Sequence, residues 1–212
     1  MRLSVIHKNV KIGKNSVIGN FVEIGIPPLG KKEGELETII GANSMIRSHT
    51  VIYAGNRIGD DFQTGHQTVI RENNIIGNDV RIGTFSEIAY HVHIDDDVKF
   101  HSDCHIYEET IIKKGARFNP GVYILNTKYP YRPDGNSVVA PAIIRENARI
   151  GANVIIMPCV EIGKWALIGA GSLVIKSVPD YAVAIGRPAR IIKKITDILD
   201  EEGHQVYVIP KD

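Results

Sequence analysis

Net charge is nearly absent from this 212-residue chain: 25 basic and 24 acidic residues leave +1. That balance excludes a strongly basic chain and gives no sign of a nucleic-acid groove or an anionic-membrane patch. Cysteine is scarce, and Cys104 and Cys159 match no zinc-ribbon or C-x-x-C spacing. They read as small, reduced core residues of an intracellular protein. No apolar run approaches the roughly 18 residues of a membrane span. The start, MRLSVIHKNVKIG, turns polar and basic by residue 8 and has no apolar stretch long enough for a signal peptide. The expectation is a cytoplasmic protein with neither nucleic-acid nor membrane partners.

What is present is a beat of six. Stepping by six from Ile40 meets Ile46, Ile52 and Ile58, and continues to Ile124 with Thr64 as its one polar member. A shorter run, Ile6 to Ile24, precedes it, and a third, Ile144 to Val174, follows in another register. Glycine often follows the isoleucine, as at Gly13, Gly41, Gly83 and Gly151. A period of six fits neither a helix nor an ordinary alternating strand. It fits a coil with three short sides, one inward isoleucine per side, and a glycine easing each tight corner. Eighteen residues then make one turn, and about eight turns stack into a prism roughly 40 Å long at the inter-strand spacing of parallel sheets.

Two stretches break the beat. IPPLGKKEGELE lies between Ile24 and Ile40, and NTKYPYRPDG lies between Ile124 and Ile144. A stacked core tolerates insertions only at corners, so loops 26–38 and 126–142 should project outward. The repeat closes near Val178-Pro179. The coil with its loops makes residues 1–186 one domain, and 187–212 a tail. In that tail Ile191, Ile192, Ile195, Ile198 and Leu199 fall at helical spacing and predict a short C-terminal helix that caps the prism, with QVYVIP as a last strand.

The hexads resemble the [LIV]-G-x-x-x-x repeat of the left-handed parallel β-helix, a mainly β fold whose hand comes from that family and not from the spacing. IGANVIIMPCVEIGKWALIGAGSLVIKSVPDYAVAIGRPARII is similar to the closing segment of hexapeptide-repeat acyltransferases that use acyl-CoA. The resemblance implies acetyl-CoA as co-substrate, no metal, and a homotrimer with sites between subunits. Ala152 and Ala170, one turn apart, would let the pantetheine arm lie against the backbone. Lys176 and Arg190 would meet the phosphates, where fixed positive charge is useful.

Members that acetylate sugar hydroxyls often carry T-H-P in the loop before the last coils; here the three residues are Lys128-Tyr129-Pro130. A group acetylating amines on nucleotide-linked sugars has a loop resembling F-T-N-x-x-x-P-R, and Asn126 and Pro130 keep that spacing. Leucine replaces the threonine before Asn126, and Tyr131 intervenes before Arg132. An unprotonated amine needs holding and deprotonation more than a strong base. Asn126 would position it, with Glu108, one turn below, or His105 assisting; Tyr129, Tyr131 and Arg132 would contact sugar or nucleotide. Thus the leading expectation is N-acetylation of a nucleotide-linked amino sugar.

Two alternatives stand beside it. One is sugar O-acetylation with His66 or His105 as base, the early segment being similar in layout to UDP-N-acetylglucosamine acyltransferases. The other is a zinc protein like the gamma-class carbonic anhydrases, in which His91 and His93 share one strand side, with His101 and His105 on the next coil.

Overall fold

The computed structural model describes residues 3–131, 133 and 139–209. Strands β1 (Val5–Ile6) to β25 (Leu173–Val174) follow one another as the sides of a left-handed parallel β-helix. They sort into three parallel sheets of nine, eight and ten strands, here called A, B and C in the order the chain visits them. Register is one hexad per side: Ile52 pairs with Ile70, Ile70 with Ile88, and Ile88 with Ile106 in sheet A. The inward isoleucines form a dry column, Ile24, Ile52, Ile70, Ile88 and Ile124 all being 0% exposed. Each such side chain contributes roughly 1.5–3 kcal/mol of transfer free energy. Thr64, the polar member, is also fully buried; its hydroxyl meets Thr50 Oγ1 at 3.0 Å and accepts the Arg47 N–H at 3.0 Å.

A second inward position, four residues after each isoleucine, was not singled out by the beat. Except for Phe62 it is no larger than valine, and at the corner between sheets A and B it holds Asn56 and Asn74. Asn56 Nδ2 donates to Tyr53 O and Arg71 O at 2.7 and 2.8 Å, and its Oδ1 accepts the Asn74 N–H at 2.9 Å. Asn74 repeats the pattern on Arg71 O and Val92 N. An asparagine ladder thus satisfies corner amides and carbonyls that would otherwise be buried unpaired.

The corner is made differently from the sequence expectation. Apart from Gly25 at φ 90°, the glycine after the isoleucine does not take positive φ. That conformation falls two residues later, at Asn9, Asn15, Asn43, Asp61, Asn73, Asp79 and their equivalents. Asn or Asp occupies ten of these positions, because a short polar side chain lowers the cost of the left-handed region. The glycines serve close approach instead. A Cβ on Gly83 would sit 2.4 Å from the His101 carbonyl carbon of the next coil, and one on Gly151 would sit 2.5 Å from Ala170 N.

Both insertions leave the prism at the corner from A to B. The first, between Glu23–Ile26 and Thr38–Ile40, lies along the first coil: Glu33 meets His7 Nδ1 at 3.3 Å, and Lys11 pairs with Glu37 at 2.6 Å. The second leaves through a narrow neck, where Thr127 and Val139 form an antiparallel bridge and Ala140 N donates to Asn126 O at 2.7 Å.

The expected C-terminal helix is absent. β26 (Ala182–Gly186) adds to sheet C beside Leu167–Ile168, and β27 (Ala189–Lys194) turns back antiparallel to it. Ile191 and Ile192 are half-exposed strand residues, and only a 3-10 turn, Ile195–Asp197, follows. The last coil offers a row of unpaired backbone groups, which a strand satisfies and a helix does not. Gly169 N donates to Ala184 O at 2.9 Å accordingly. Ile195, fully buried, fastens the hairpin. Of QVYVIP, only the Leu199–Gln205 bridge is strand-like among the described residues. No helix among the described residues is long and apolar enough to cross a membrane.

Candidate active site

Two edges flank sheet A, and they carry different chemistry. The edge between A and B holds the second loop and a column of side chains two residues after each sheet A isoleucine: Glu72, Tyr90, Glu108, Asn126 and, beyond the loop, Lys176. Asn126 Nδ2 donates to Glu108 Oε2 at 2.6 Å, and Asn126 Oδ1 accepts from Thr127 Oγ1 at 3.2 Å. Asn126 is only 5% exposed, so its amide is engaged in holding Glu108. Glu108 makes no ion pair among the described residues. It is a fixed carboxylate with no cation paired to it among the described residues. Its charge, after burial, contributes to raising the phenol pKa of Tyr90 one coil below.

His105 stands on the outer face of sheet A. Its ring stacks on Tyr123 at 4.7 Å, and its nitrogens face Asp103 (3.1 Å) and Glu87 (3.7 Å). Lys128 Nζ lies 5.4 Å from the Tyr129 ring centroid, and Tyr131 is fully exposed at the loop tip. Arg132 lies outside the described residues.

The edge between C and A is uninterrupted and carries Ala152 and Ala170. Ala152 O accepts the Gly171 N–H at 2.7 Å, so the two coils lie in contact. A cleft of about 350 Å³ opens here, lined by Arg117, Asn119, Arg149, Gly151, Ala170 and Tyr207. Arg149 was not among the sequence candidates. Its guanidinium stacks 5.4 Å from the Trp165 ring, and its Nε is buried with no hydrogen-bond partner among the described residues. Burial, and then the neighbouring Arg117, lower its pKa. A half-buried cation with no carboxylate hydrogen-bonded to it among the described residues, facing a cleft, is an anion-binding feature. The available signal was the R-I-G at residues 149–151, an arginine at the outward position beside a close-approach glycine.

Lys176 and Arg190 are not brought together with this cleft in the same way. Lys176 is exposed on the edge between A and B, whereas Arg190 is exposed on β27, the outer strand of sheet C.

The imidazoles grouped by sequence separate. His91 is a positive-φ corner residue after sheet A, His93 is on sheet B beside Asp95, and His101 is on the edge between C and A. No group of three His, Cys, Asp or Glu side chains with metal-holding geometry occurs among the described residues. Cys104 is buried, but Cys159 is exposed at a positive-φ corner and is not a core residue.

The bacterial transferase hexapeptide family, six repeats, matches residues 141–176. The six-residue repeat itself extends well beyond that match, from Ile6 to Val174. Galactoside O-acetyltransferase of Lactococcus lactis is 44% identical over 84 residues, 38% of this chain and 41% of that one. The tetrahydropyridine-2,6-dicarboxylate N-acetyltransferase of Staphylococcus aureus is 38% identical over 72 residues, 34% of this chain and 30% of that one. The chain spans less than half the length of these curated relatives. Among solved structures, Arabidopsis UDP-N-acetylglucosamine acyltransferase superposes with a TM-score of 0.54 at 17% identity. That likeness covers 91% of this hexapeptide-repeat chain and 73% of the other, and shows the shared fold.

Proposed function

We propose that this hexapeptide-repeat protein is an acetyltransferase that moves acetyl from acetyl-CoA to the amino group of a nucleotide-linked amino sugar. The observation that carries the reading is Glu108: a carboxylate held by Asn126 at 2.6 Å, with no cation paired to it among the described residues, beneath the neck of the loop. A sugar amine arrives at neutral pH largely as an ammonium. Glu108 binds that charge and takes one proton, freeing the lone pair to attack the thioester carbonyl carbon. The C–S bond then breaks, and the departing CoA thiolate takes up a proton. Asn126 positions Glu108, while Tyr129, Tyr131 and Arg132 on the loop meet the sugar or its nucleotide.

The acyl donor belongs to the other edge, along Ala152 and Ala170, with the Arg149 cation beside them; Lys176, on the edge between A and B, would reach such a donor only from a neighbouring copy. Within one chain the two edges are a full side apart, about 15–20 Å for six residues of strand and corner. A transfer step needs near contact. A closed ring of copies about an axis parallel to the prism sets the A–B edge of one copy against the C–A edge of the next. A donor laid along Ala170 and Ala152 would run down that edge toward Glu108, which lies two to three coils, about 10–14 Å, from Ala170 in height. A homotrimer meets that requirement.

A second reading has one observation behind it. Ser48 Oγ and His66 Nδ1 lie 2.7 Å apart, which orients the imidazole on the edge between C and A. That arrangement suits a base for a sugar hydroxyl. Thiol release from acetyl-CoA, read colorimetrically against UDP- and dTDP-linked amino sugars and their hydroxyl analogues, decides between the two. Release with amines alone is expected; release with the hydroxyl analogues transfers the base role to His66.

A further inference from the structure

The outer face of sheet C carries a ladder of cations in register, Arg81, Lys99, Arg117 and Arg149, one per coil. Its two inner members are neutralised. Lys99 pairs with Asp79 and Asp97 at 2.5 and 3.5 Å, and Arg117 pairs with both oxygens of Asp97 at 2.8 and 2.9 Å. Its two outer members have no carboxylate partner among the described residues. Each outer member lines a cleft, Arg149 the donor cleft described above and Arg81 a second one of about 310 Å³.

The second cleft is built for an anion. Arg47, Arg81, His66, His101, Thr84 and Ser102 line it, and no acidic side chain does. Arg47 is aimed by one bond, Nη1 to Thr64 O at 2.7 Å, which leaves the rest of its guanidinium for a ligand. Gly65 and Gly83 form the floor, and the next coil leaves no room for a Cβ on either. Arg47 and Arg81 rise from rows two coils apart, about 10 Å at the inter-strand spacing. That separation exceeds the span of one carboxylate or phosphate and fits two linked phosphates, each met by an arginine fork. The two clefts follow one another on a single edge: coils through Ile46, Thr64, Ile82 and Phe100 carry the first, and coils through Phe118, Ile150 and Ile168 the second.

We propose that the Arg47–Arg81 cleft is a diphosphate site and takes the diphosphate of the acceptor. The identity of the acceptor rests on the amino-sugar transferase reading; the binding of a diphosphate does not. Coenzyme A carries a diphosphate as well, so the test must separate the two sources. The full-length protein is titrated calorimetrically with UDP, with inorganic pyrophosphate and, separately, with CoA. Arg81→Gln is expected to weaken UDP and pyrophosphate at least tenfold, with Arg81→Lys between it and wild type and CoA affinity unchanged. Arg57→Gln, on sheet B, controls for lost surface charge. Arg81 is exposed and unpaired among the described residues, so the variant should keep its melting temperature. The proposal is overturned by wild-type UDP affinity in Arg81→Gln, by a loss confined to CoA, or by no UDP or pyrophosphate binding to the wild-type protein. UDP binding as expected with no acetylation of any amine leaves this site standing and removes the amino-sugar reading alone.

Discussion

The two edges of sheet A are made from one hexad and have diverged in what interrupts it. The edge toward B accepts both insertions and displays Glu108 with Asn126. The edge toward C accepts none and displays glycines, alanines and arginines with no carboxylate partner among the described residues. An inserted loop lifts polar groups off the prism, which suits recognition of a variable sugar. An uninterrupted edge keeps backbone and glycine at constant spacing, which suits a long flexible arm laid along the coils. On the proposed division of work between edges, neither would be sufficient in one chain.

The largest effect should come from the edge toward B. Glu108→Gln keeps the hydrogen bond to Asn126 and removes the proton acceptor. It should lower kcat about 10²- to 10⁴-fold, the range for loss of a general base, while calorimetric affinity for CoA stays unchanged. Asn126→Ala should cost less, because it loosens the hold on Glu108 and leaves the carboxylate itself in place. Equal losses in kcat and in CoA affinity would show that this edge also holds the donor.

Mixing variants tests the division itself. Glu108→Gln is dead on one edge, and Ala170→Trp should block the donor groove on the other. Refolded together in equal amounts, they should regain about a quarter of wild-type activity, the fraction of contacts in a randomly assembled ring that join two intact edges. Activity that stays at the level of the parents places the whole site within one chain.

Arg149 sharpens the edge toward C. Arg149→Gln should raise KM for acetyl-CoA roughly 10- to 100-fold with little change in kcat, since a charge-assisted hydrogen bond contributes about 1.5–3 kcal/mol. If KM holds and only the melting temperature falls, the guanidinium serves its stack on Trp165 and nothing else.

Under the same edge lies Cys104, whose thiol burial raises its pKa to about 11 from an ordinary value near 9. Because the folded state holds the proton more tightly, its contribution is complete below pH 9 and is lost as pH rises toward 11. The loss should be about 2–3 kcal/mol. Urea unfolding of wild type and Cys104→Ala across pH 7.5–10.5 should show the slope in the first and not in the second. Cys159, exposed on the opposite edge, has no such burial to register.

The prism was legible because it is a one-dimensional object: each inward Ile in the sequence is an inward Ile in the structure, and register follows from counting. The stacking of Glu108 beneath Asn126 was legible for the same reason. What counting missed was governed by atoms that repeat less strictly. The left-handed corner moved from glycine to Asn and Asp because the glycines are held by the coil above, a contact invisible along one chain. The tail reads as a helix because Ile191, Ile195 and Ile198 coincide with helical spacing, but the open edge of sheet C decides for a hairpin. Arg149 and Arg81 were passed over because a cation gains meaning only when its neighbours prove to be neutralised. Asn126 was expected to meet substrate, and its burial shows that it first meets Glu108.

The smallest effect compares the corners themselves. Glu109, on the edge toward B, and Phe85, on the edge toward C, both hold the left-handed conformation, at φ 61° in each case. A side chain other than Asn, Asp or Gly costs about 1 kcal/mol there. Glu109→Asn should therefore stabilise the protein by about 0.5–1 kcal/mol, raising Tm by about 1–4 °C for a chain of this size, with activity unchanged. Phe85→Asn relieves the same backbone but removes an aromatic that is 56% exposed. If the edge toward C is where a second copy docks, that ring packs against the neighbour, and its loss should cancel the gain and make Tm depend more steeply on protein concentration. Equal gains at the two corners would mean that the edges differ in their chemistry but not in their assembly, and would return the search for the subunit contact to the outer face of sheet A.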